Sequence, residues 1–168
     1  LGLLFGAKGE SRQWIMKGSE ELFHEMRLEI LPSGMSYERS TNYNRLVLEL
    51  FMVPIILLRH NNFELPSDIW YRLGTMFEFV MFTLKPDGTT PVIGDQDNGR
   101  LLPFNKPETI NLRYLLSVGA LLFDRSDLKS HSEGFNVYCS LFGGENAYER
   151  WGSIPVIEFN LESKFFSD

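Results

Sequence analysis

Two polar segments of the sequence hold the residue types that could do chemistry. The first, residues 33–45, reads SGMSYERSTNYNR, and the second, residues 86–100, reads PDGTTPVIGDQDNGR. Both are dense in hydrogen-bonding side chains and turn residues, and both lie between long apolar stretches. A helical scaffold that brings the two segments to one cleft would hold a polar ligand.

Tyr43 is the candidate catalytic residue of the first segment. It follows residues 40–42, a Ser, a Thr and an Asn, which all suit the N-cap of a helix. In the first helical turn, the dipole together with Arg39 and Arg45 would favour a tyrosinate and lower the pKa of the phenol. Such a tyrosine can serve as a general base or acid. The alternative is a structural cap, with the ring of Tyr43 packed on the next helix.

The second segment is rich in Gly, Pro, Asp and Asn, which predicts a loop. Residues 95–99 partly match a calcium-binding loop, but an EF-hand needs Gly at position six and Glu at position twelve. Here Gly99 is at position five and Lys106 at position twelve, so no metal site is predicted. Two roles stay open: a ligand-binding loop, or a loop whose Asp and Asn side chains satisfy its own backbone.

Composition narrows the function further. The 168 residues are 43% hydrophobic and 23% charged, as in one soluble domain, and the net charge of −6 argues against a nucleic-acid partner. No apolar run reaches the ~20 residues of a membrane span. The three histidines have no ligand spacing, and no phosphate-binding glycine pattern occurs, so no metal or cofactor is predicted. The single cysteine, Cys139, is expected to be a buried apolar residue.

Hydrophobic periodicity predicts an all-α fold of stacked antiparallel helical hairpins. Ser11 and Ser67 are candidate N-caps, and Pro54 is a candidate kink. The apolar stripe of the second helix is assigned to Leu46, Leu50, Val53 and Leu57. The C-terminal residues 154–159 are β-branched and aromatic, which predicts an extended tail. The predicted helices are 11–31, 41–59, 67–84 and 108–123, with weaker ones at 132–142 and 144–151.

The two polar segments resemble segments of a known protein family. Residues 37–49, YERSTNYNRLVLE, resemble the segment (Y/F)-E-x-S-x-x-Y-H-R-x-x-L-E of the heparinase II/III family of polysaccharide lyases. Residues 86–100 resemble the loop PDG-x-x-P-x-x-GD-x-D-x-GR of the same family. The order and spacing of the two segments agree with that family as well.

The resemblance implies an incomplete α/α toroid followed by a β-sandwich domain. Residues 1–153 would be part of the toroid, and residues 154–168 would be an extended lead into a β-sandwich that this sequence lacks. Phe165 and Phe166 would then pack against a further domain. The opening residues resemble the helix that follows the family's Asn-His segment, so we expect a fragment of a longer protein.

The resemblance also implies β-elimination at a uronic acid of an acidic polysaccharide. Tyr43 matches the family's catalytic tyrosine. The neutralising Asn or His would lie before Leu1 and a second catalytic His in the β-sandwich, so the fragment alone would be inactive. Asn44 departs from the family, which often has His there, and an amide cannot carry a proton. The expected substrate-binding residues are Glu38, Asn42, Asn44, Arg45, Asp95, Asp97 and Arg100.

Two other functions remain open. A non-catalytic carbohydrate-binding or polysaccharide-biosynthesis protein could retain the toroid, and Asn44 favours that alternative. A helical interaction module without a glycan ligand would need neither Tyr43 nor the 95–100 loop. Family membership implies a bacterial protein that is periplasmic or secreted.

Overall fold

A computed structural model describes residues 1–95, 99–102, 104, 111–158 and 164–166. Within these ranges the chain forms seven α-helices and no β-strand, which confirms the predicted all-α class. The helices are α1 (Glu10–Glu29), α2 (Thr41–His60), α3 (Ser67–Thr83), α4 (Arg113–Phe123), α5 (Ser126–Ser130), α6 (Val137–Phe142) and α7 (Ala147–Ser153).

The predicted helix boundaries are accurate to within two residues for α1 to α3, whereas α4, α6 and α7 begin later than predicted and α5 was not predicted. Helix α6 begins at Val137 rather than 132, because the Asn136 side chain caps it and accepts bonds from the N–H groups of Tyr138 and Cys139. The helix predicted from 108 begins at Arg113. Residues 108–110 lie outside the described ranges.

Two predicted N-caps are wrong. Helix α1 is preceded by Gly9, and Ser11 is its second residue, where the hydroxyl donates to the Lys8 carbonyl at 2.6 Å. Helix α3 is preceded by Pro66 and has no side-chain cap, so Ser67 is simply its first residue. Because proline fixes φ near the helical value, it starts a helix without a capping bond.

Helices α3 and α4 lie at the centre of the fold. Helix α3 contacts α1, α2, α4 and α5, and α4 contacts α3, α5, α6 and α7. Every residue from Tyr114 to Leu122 is buried, so α4 is enclosed on all sides. The core is aromatic as well as aliphatic, with Phe77 edge-on to Phe123 at 5.9 Å between ring centroids.

The buried face of α2 differs from the predicted stripe. Leu50 and Leu57 are each 46% exposed, whereas Leu48, Met52 and Ile56 are buried. By length and composition alone α2 could cross a bilayer, but 56% of its most apolar 18-residue window is buried inside the fold. That burial is typical of a core helix, and α2 continues through Pro54.

The chain end returns to the surface of α3. The Phe166 ring lies 5.5 Å from that of Phe79 and 5.9 Å from that of Phe82, and Lys164 pairs with Glu78. Phe166 therefore packs on α3 of this chain, whereas Phe165 is 90% exposed, and the expected packing against a further domain stays a prediction. Residues 155–158 have no regular secondary structure.

The turn between α1 and α2 packs closely against the backbone of α3 at Gly34. Its φ is 87°, and a Cβ added there would lie 2.2 Å from the Thr75 carbonyl oxygen. We expect Gly34→Ala to lower the free energy of unfolding by about 2–4 kcal/mol, because it combines left-handed strain with a backbone clash. Urea denaturation measures this change.

The matched control is Gly18→Ala in α1, where an added Cβ meets no atom within 4 Å. Alanine in a helix interior should raise stability by roughly 0.5–1 kcal/mol. If Gly34→Ala were as stable as the wild type, the close packing of this turn against the α3 backbone would be contradicted.

Candidate functional site

Tyr43 lies in the first turn of α2, as predicted. Ser40 is the N-cap, and its hydroxyl accepts a hydrogen bond from the Tyr43 backbone N–H at 3.3 Å. The Tyr43 side chain is partly exposed. This position puts a phenol at the positive end of the helix dipole, within reach of solvent.

The second polar segment is fastened to this same helix end. The Thr41 N–H donates to the Ile93 carbonyl at 3.1 Å, and the Thr41 hydroxyl donates to the Pro91 carbonyl at 2.7 Å. The Ser40 hydroxyl donates to the Asp95 carbonyl at 2.9 Å. The two segments, some fifty residues apart in sequence, therefore form one site.

Gly94 permits this close approach. Its φ is 76°, and a Cβ added there would lie 2.9 Å from the Cβ of Ser40. Glycine adopts this backbone conformation at little cost and leaves room for the N-cap residue. The presence of glycine at position 94 thus has a local physical reason.

A buried carboxylate holds the far end of the second segment. Glu49 is 0% exposed, and its Oε1 accepts a hydrogen bond from the Tyr114 hydroxyl at 2.5 Å. Its Oε2 accepts from the N–H groups of Leu101 at 2.9 Å and Leu102 at 3.3 Å. A carboxylate with these donors is well satisfied away from water.

Two further side chains bind the same stretch of backbone. An Arg45 guanidinium nitrogen donates to the Gly99 carbonyl at 3.0 Å, and the Tyr138 hydroxyl donates to the Leu102 carbonyl at 2.9 Å. Side chains of α2 and α6 therefore hold residues 99–102, and Tyr114 of α4 holds the Glu49 carboxylate in turn. We call Arg45, Glu49, Tyr114 and Tyr138 the buried latch.

Burial shapes the electrostatics of the latch. Arg45 is 1% exposed, and loss of solvent is the main cause that lowers the pKa of its guanidinium. Burial, followed by the negative charge of Glu49, raises the pKa of Tyr114. The Tyr114 phenol therefore stays protonated and keeps donating to Glu49.

The predicted site residues divide between an open rim and the interior. Asn44 and Arg45 are buried, and the Asn44 amide oxygen accepts from the Ser36 N–H at 2.7 Å. Arg45, expected beside the tyrosine, instead donates to the loop backbone. Asp97 lies outside the described residues. The exposed or partly exposed rim consists of Glu38, Asn42, Tyr43, Asp95 and Arg100.

Sequence reasoning missed Glu49, Tyr114 and Tyr138. Glu49 could have been predicted as a buried, hydrogen-bonded residue. It is the only charged residue in the apolar stretch LVLELFMV, and a carboxylate is rarely buried without a partner. The tyrosines carry no such signal, since Tyr114 lies 65 residues from the carboxylate it binds.

The described residues contain no group of three or more His, Cys, Asp or Glu that could hold a metal ion. His60 ends α2, about 26 Å from Tyr43 at 1.5 Å per residue. Cys139 is buried, as predicted, and burial raises the pKa of its thiol to about 11. That thiol is therefore a packing group rather than a nucleophile.

Comparison with known proteins gives one match. Residues 1–105 match the family model described as Heparinase II/III N-terminus. This stretch contains both polar segments and all the rim residues. No curated protein and no solved structure matches the chain.

Proposed function

The chain belongs to the heparinase II/III family, and from that premise we propose that it is the helical part of a polysaccharide lyase that cleaves a uronic-acid-containing glycan. The helices would form part of an incomplete α/α toroid. The observation that carries the proposal is the position of Tyr43, partly exposed in the first turn of α2 with the second family segment fastened beside it.

The proposed reaction is a β-elimination. A positive or hydrogen-bonding group neutralises the uronate carboxylate, which acidifies the C–H next to it. A base removes that proton, a double bond forms within the sugar, and the glycosidic C–O bond breaks. An acid then protonates the departing oxygen. Tyr43 is proposed as the base or the acid, because the helix dipole favours negative charge on its oxygen.

The rim supplies groups suited to an acidic sugar chain. Arg100 can pair with a carboxylate, and Asn42 can donate to or accept from hydroxyl groups. The carboxylates of Glu38 and Asp95 can accept hydrogen bonds from sugar hydroxyls, and Asp97 belongs to the same proposed set. Asn44 and Arg45 are proposed to act from beneath, by fixing the backbone on which this rim is built.

The remaining proton-transfer and neutralising groups are proposed to lie in other parts of the full-length protein. His60 is at the opposite end of α2 from Tyr43, His24 is exposed on α1, and the His131 ring is hydrogen-bonded to the Asp127 carbonyl after α5. By family resemblance, a β-sandwich domain would supply the second histidine. We therefore expect the 168-residue chain to bind glycan without turning it over.

A second candidate function is non-catalytic carbohydrate binding, which the Asn44 position favours. Its amide cannot move a proton, and its oxygen is occupied by the Ser36 N–H. A protein that kept the rim and lost proton transfer would bind acidic glycans unchanged.

The deciding experiment is an ultraviolet absorbance assay for the unsaturated uronate product. The full-length protein is incubated with heparan sulfate, alginate, hyaluronan and bacterial exopolysaccharides. We expect absorbance to rise with at least one of them. A folded protein that binds a glycan and gives no rise with any would favour the binding function instead.

A further inference from the structure

A cavity of about 310 Å³ lies near the start of the second polar segment. Its polar wall holds three basic side chains, Lys85, Arg113 and His131, and none of the described residues that line it is a carboxylate. Its apolar wall is formed by Met81, Leu84 and Pro86. We call it the basic cavity. Its volume suits a group the size of one sugar residue.

The basic side chains are held in place. Arg113 begins α4, and its guanidinium donates to the Pro86 carbonyl at 2.6 Å. A guanidinium has five N–H donors, so one bond orients the group while leaving donors for a ligand. The His131 Nδ1–H donates to the Asp127 carbonyl at 2.9 Å, which fixes the ring.

Recognition would fall to the charged groups of Lys85 and Arg113 and to the ring of His131, rather than to the two serines of the cavity. The Ser130 hydroxyl donates to the Ser126 carbonyl at 2.9 Å, and the Ser132 hydroxyl donates to the Lys129 carbonyl at 2.7 Å. Their protons are therefore committed to backbone. A planar fork beside a lysine is an arrangement that binds carboxylate and sulfate oxygens.

Two carboxylates lie near the cavity without lining it. The exposed Asp87 is 3.8 Å from the Lys85 ammonium, a separation that gives a weak, solvent-screened pair. Glu133 is hydrogen-bonded to Asn136 at 3.3 Å.

The basic cavity lies at the same end of the fold as Tyr43. The short connection 61–66 joins α2 to α3, as between antiparallel neighbours, so α3 ends where α2 begins. Pro86 lines the cavity, and Pro91 binds Thr41 at the start of α2. Five residues of chain reach at most about 18 Å, so the wall of the cavity lies no farther than that from the backbone that binds the start of α2.

We propose that the basic cavity is a second anion subsite, which binds a carboxylate or sulfate group carried by the same acidic glycan that Tyr43 acts on. This inference rests on the proposed function for the identity of the ligand. It assigns to Lys85, Arg113 and His131 the recognition of a charged group away from the cleaved bond.

The test is calorimetric titration of the 168-residue chain at low salt with three hexasaccharide probes. One is sulfated and heparin-derived, one is an oligogalacturonate with carboxylates only, and one is neutral maltohexaose. The variants are Lys85→Gln and the double variant Lys85→Gln/His131→Gln. The matched control is Lys17→Gln, an exposed lysine of α1 outside the cavity.

We expect the chain to bind at least one anionic probe and to ignore maltohexaose. The dissociation constant should rise about 3–10-fold in Lys85→Gln and more than tenfold in the double variant, with Lys17→Gln unchanged. If only the affinity for the sulfated probe falls in Lys85→Gln, the subsite binds sulfate. If the affinity for both anionic probes falls, the subsite binds carboxylate as well.

Wild-type affinity in the double variant, or no binding of either anionic probe, would overturn the subsite. Urea denaturation of each variant, together with probe-induced amide shifts at residues 130–132, separates lost contacts from lost folding. The titration needs no turnover, so its failure is distinct from failure of the lyase assay. If probe binding depends on Lys85 but the full-length protein forms no unsaturated product, the subsite is supported and the proposed lyase activity is contradicted.

Discussion

Replacing Tyr43 with phenylalanine is expected to lower kcat of the full-length protein by about 10²–10⁴-fold, the usual contribution of one proton-transfer group. The helix cap should be unaffected, because it is the Tyr43 backbone N–H that donates to Ser40. The ring remains and only the hydroxyl is lost. Glycan affinity should therefore change by no more than about threefold.

The measurement is steady-state kinetics by ultraviolet absorbance, with affinity determined separately by titration. Tyr148→Phe is the matched control, since that side chain is 72% exposed on α7 and makes no part of the rim. It should keep wild-type kcat and KM. Wild-type kcat in Tyr43→Phe would show that the phenol moves no proton and would leave Tyr43 as a structural residue of the first turn.

The second large effect is expected from the buried latch: Glu49→Ala should lower the free energy of unfolding by about 3–5 kcal/mol. The substitution leaves the buried Arg45 charge without the opposing carboxylate. It also strands the Tyr114 hydroxyl and the Leu101 and Leu102 N–H groups. The Tyr114 hydroxyl, which is buried and would lose its acceptor, contributes most among these donors.

A graded series separates the latch from general core damage. Tyr114→Phe removes one bond from Glu49 and should cost about 1–3 kcal/mol. Glu21→Ala, on the exposed surface of α1, should stay within about 0.5 kcal/mol of the wild type. Urea denaturation gives these values, and the Glu49 and Tyr114 substitutions should be non-additive because the side chains touch.

Hydrogen exchange provides a local measure of the same change. In Tyr114→Phe, which keeps the carboxylate, the amides of Leu101 and Leu102 should exchange slowly, and in Glu49→Ala they should exchange much faster. Equal protection in both variants would mean that Glu49 does not hold the loop.

Local patterns predicted much of this fold. The three long helices, the Ser40 cap and the loop of the second segment depend on interactions within a few residues, and each was predicted within about three residues of its observed place. The start of α6 needed the Asn136 side chain as a cap, a bond within three residues that periodicity does not detect.

The buried face of α2 shows where local patterns fail. Apolar periodicity predicted that Leu50 and Leu57 would be buried. Arg45 and Glu49 were not included in the buried stripe, because charged side chains usually face water. In the fold those two charged residues share the buried face with Met52 and Ile56. Residues 99–102 and Tyr114 of α4 supply their hydrogen-bond partners.

The sequence by itself therefore determined the helical class, the two polar segments and the capped first turn that holds Tyr43, since each depends on neighbours in the chain. Only the tertiary structure decided which polar residues form the rim and which lie beneath it. It also brought Lys85, Arg113 and His131 together. The cost of burying Arg45, Glu49 or Asn44 is set by partners that lie far away in sequence, and only packing brings them within hydrogen-bond distance.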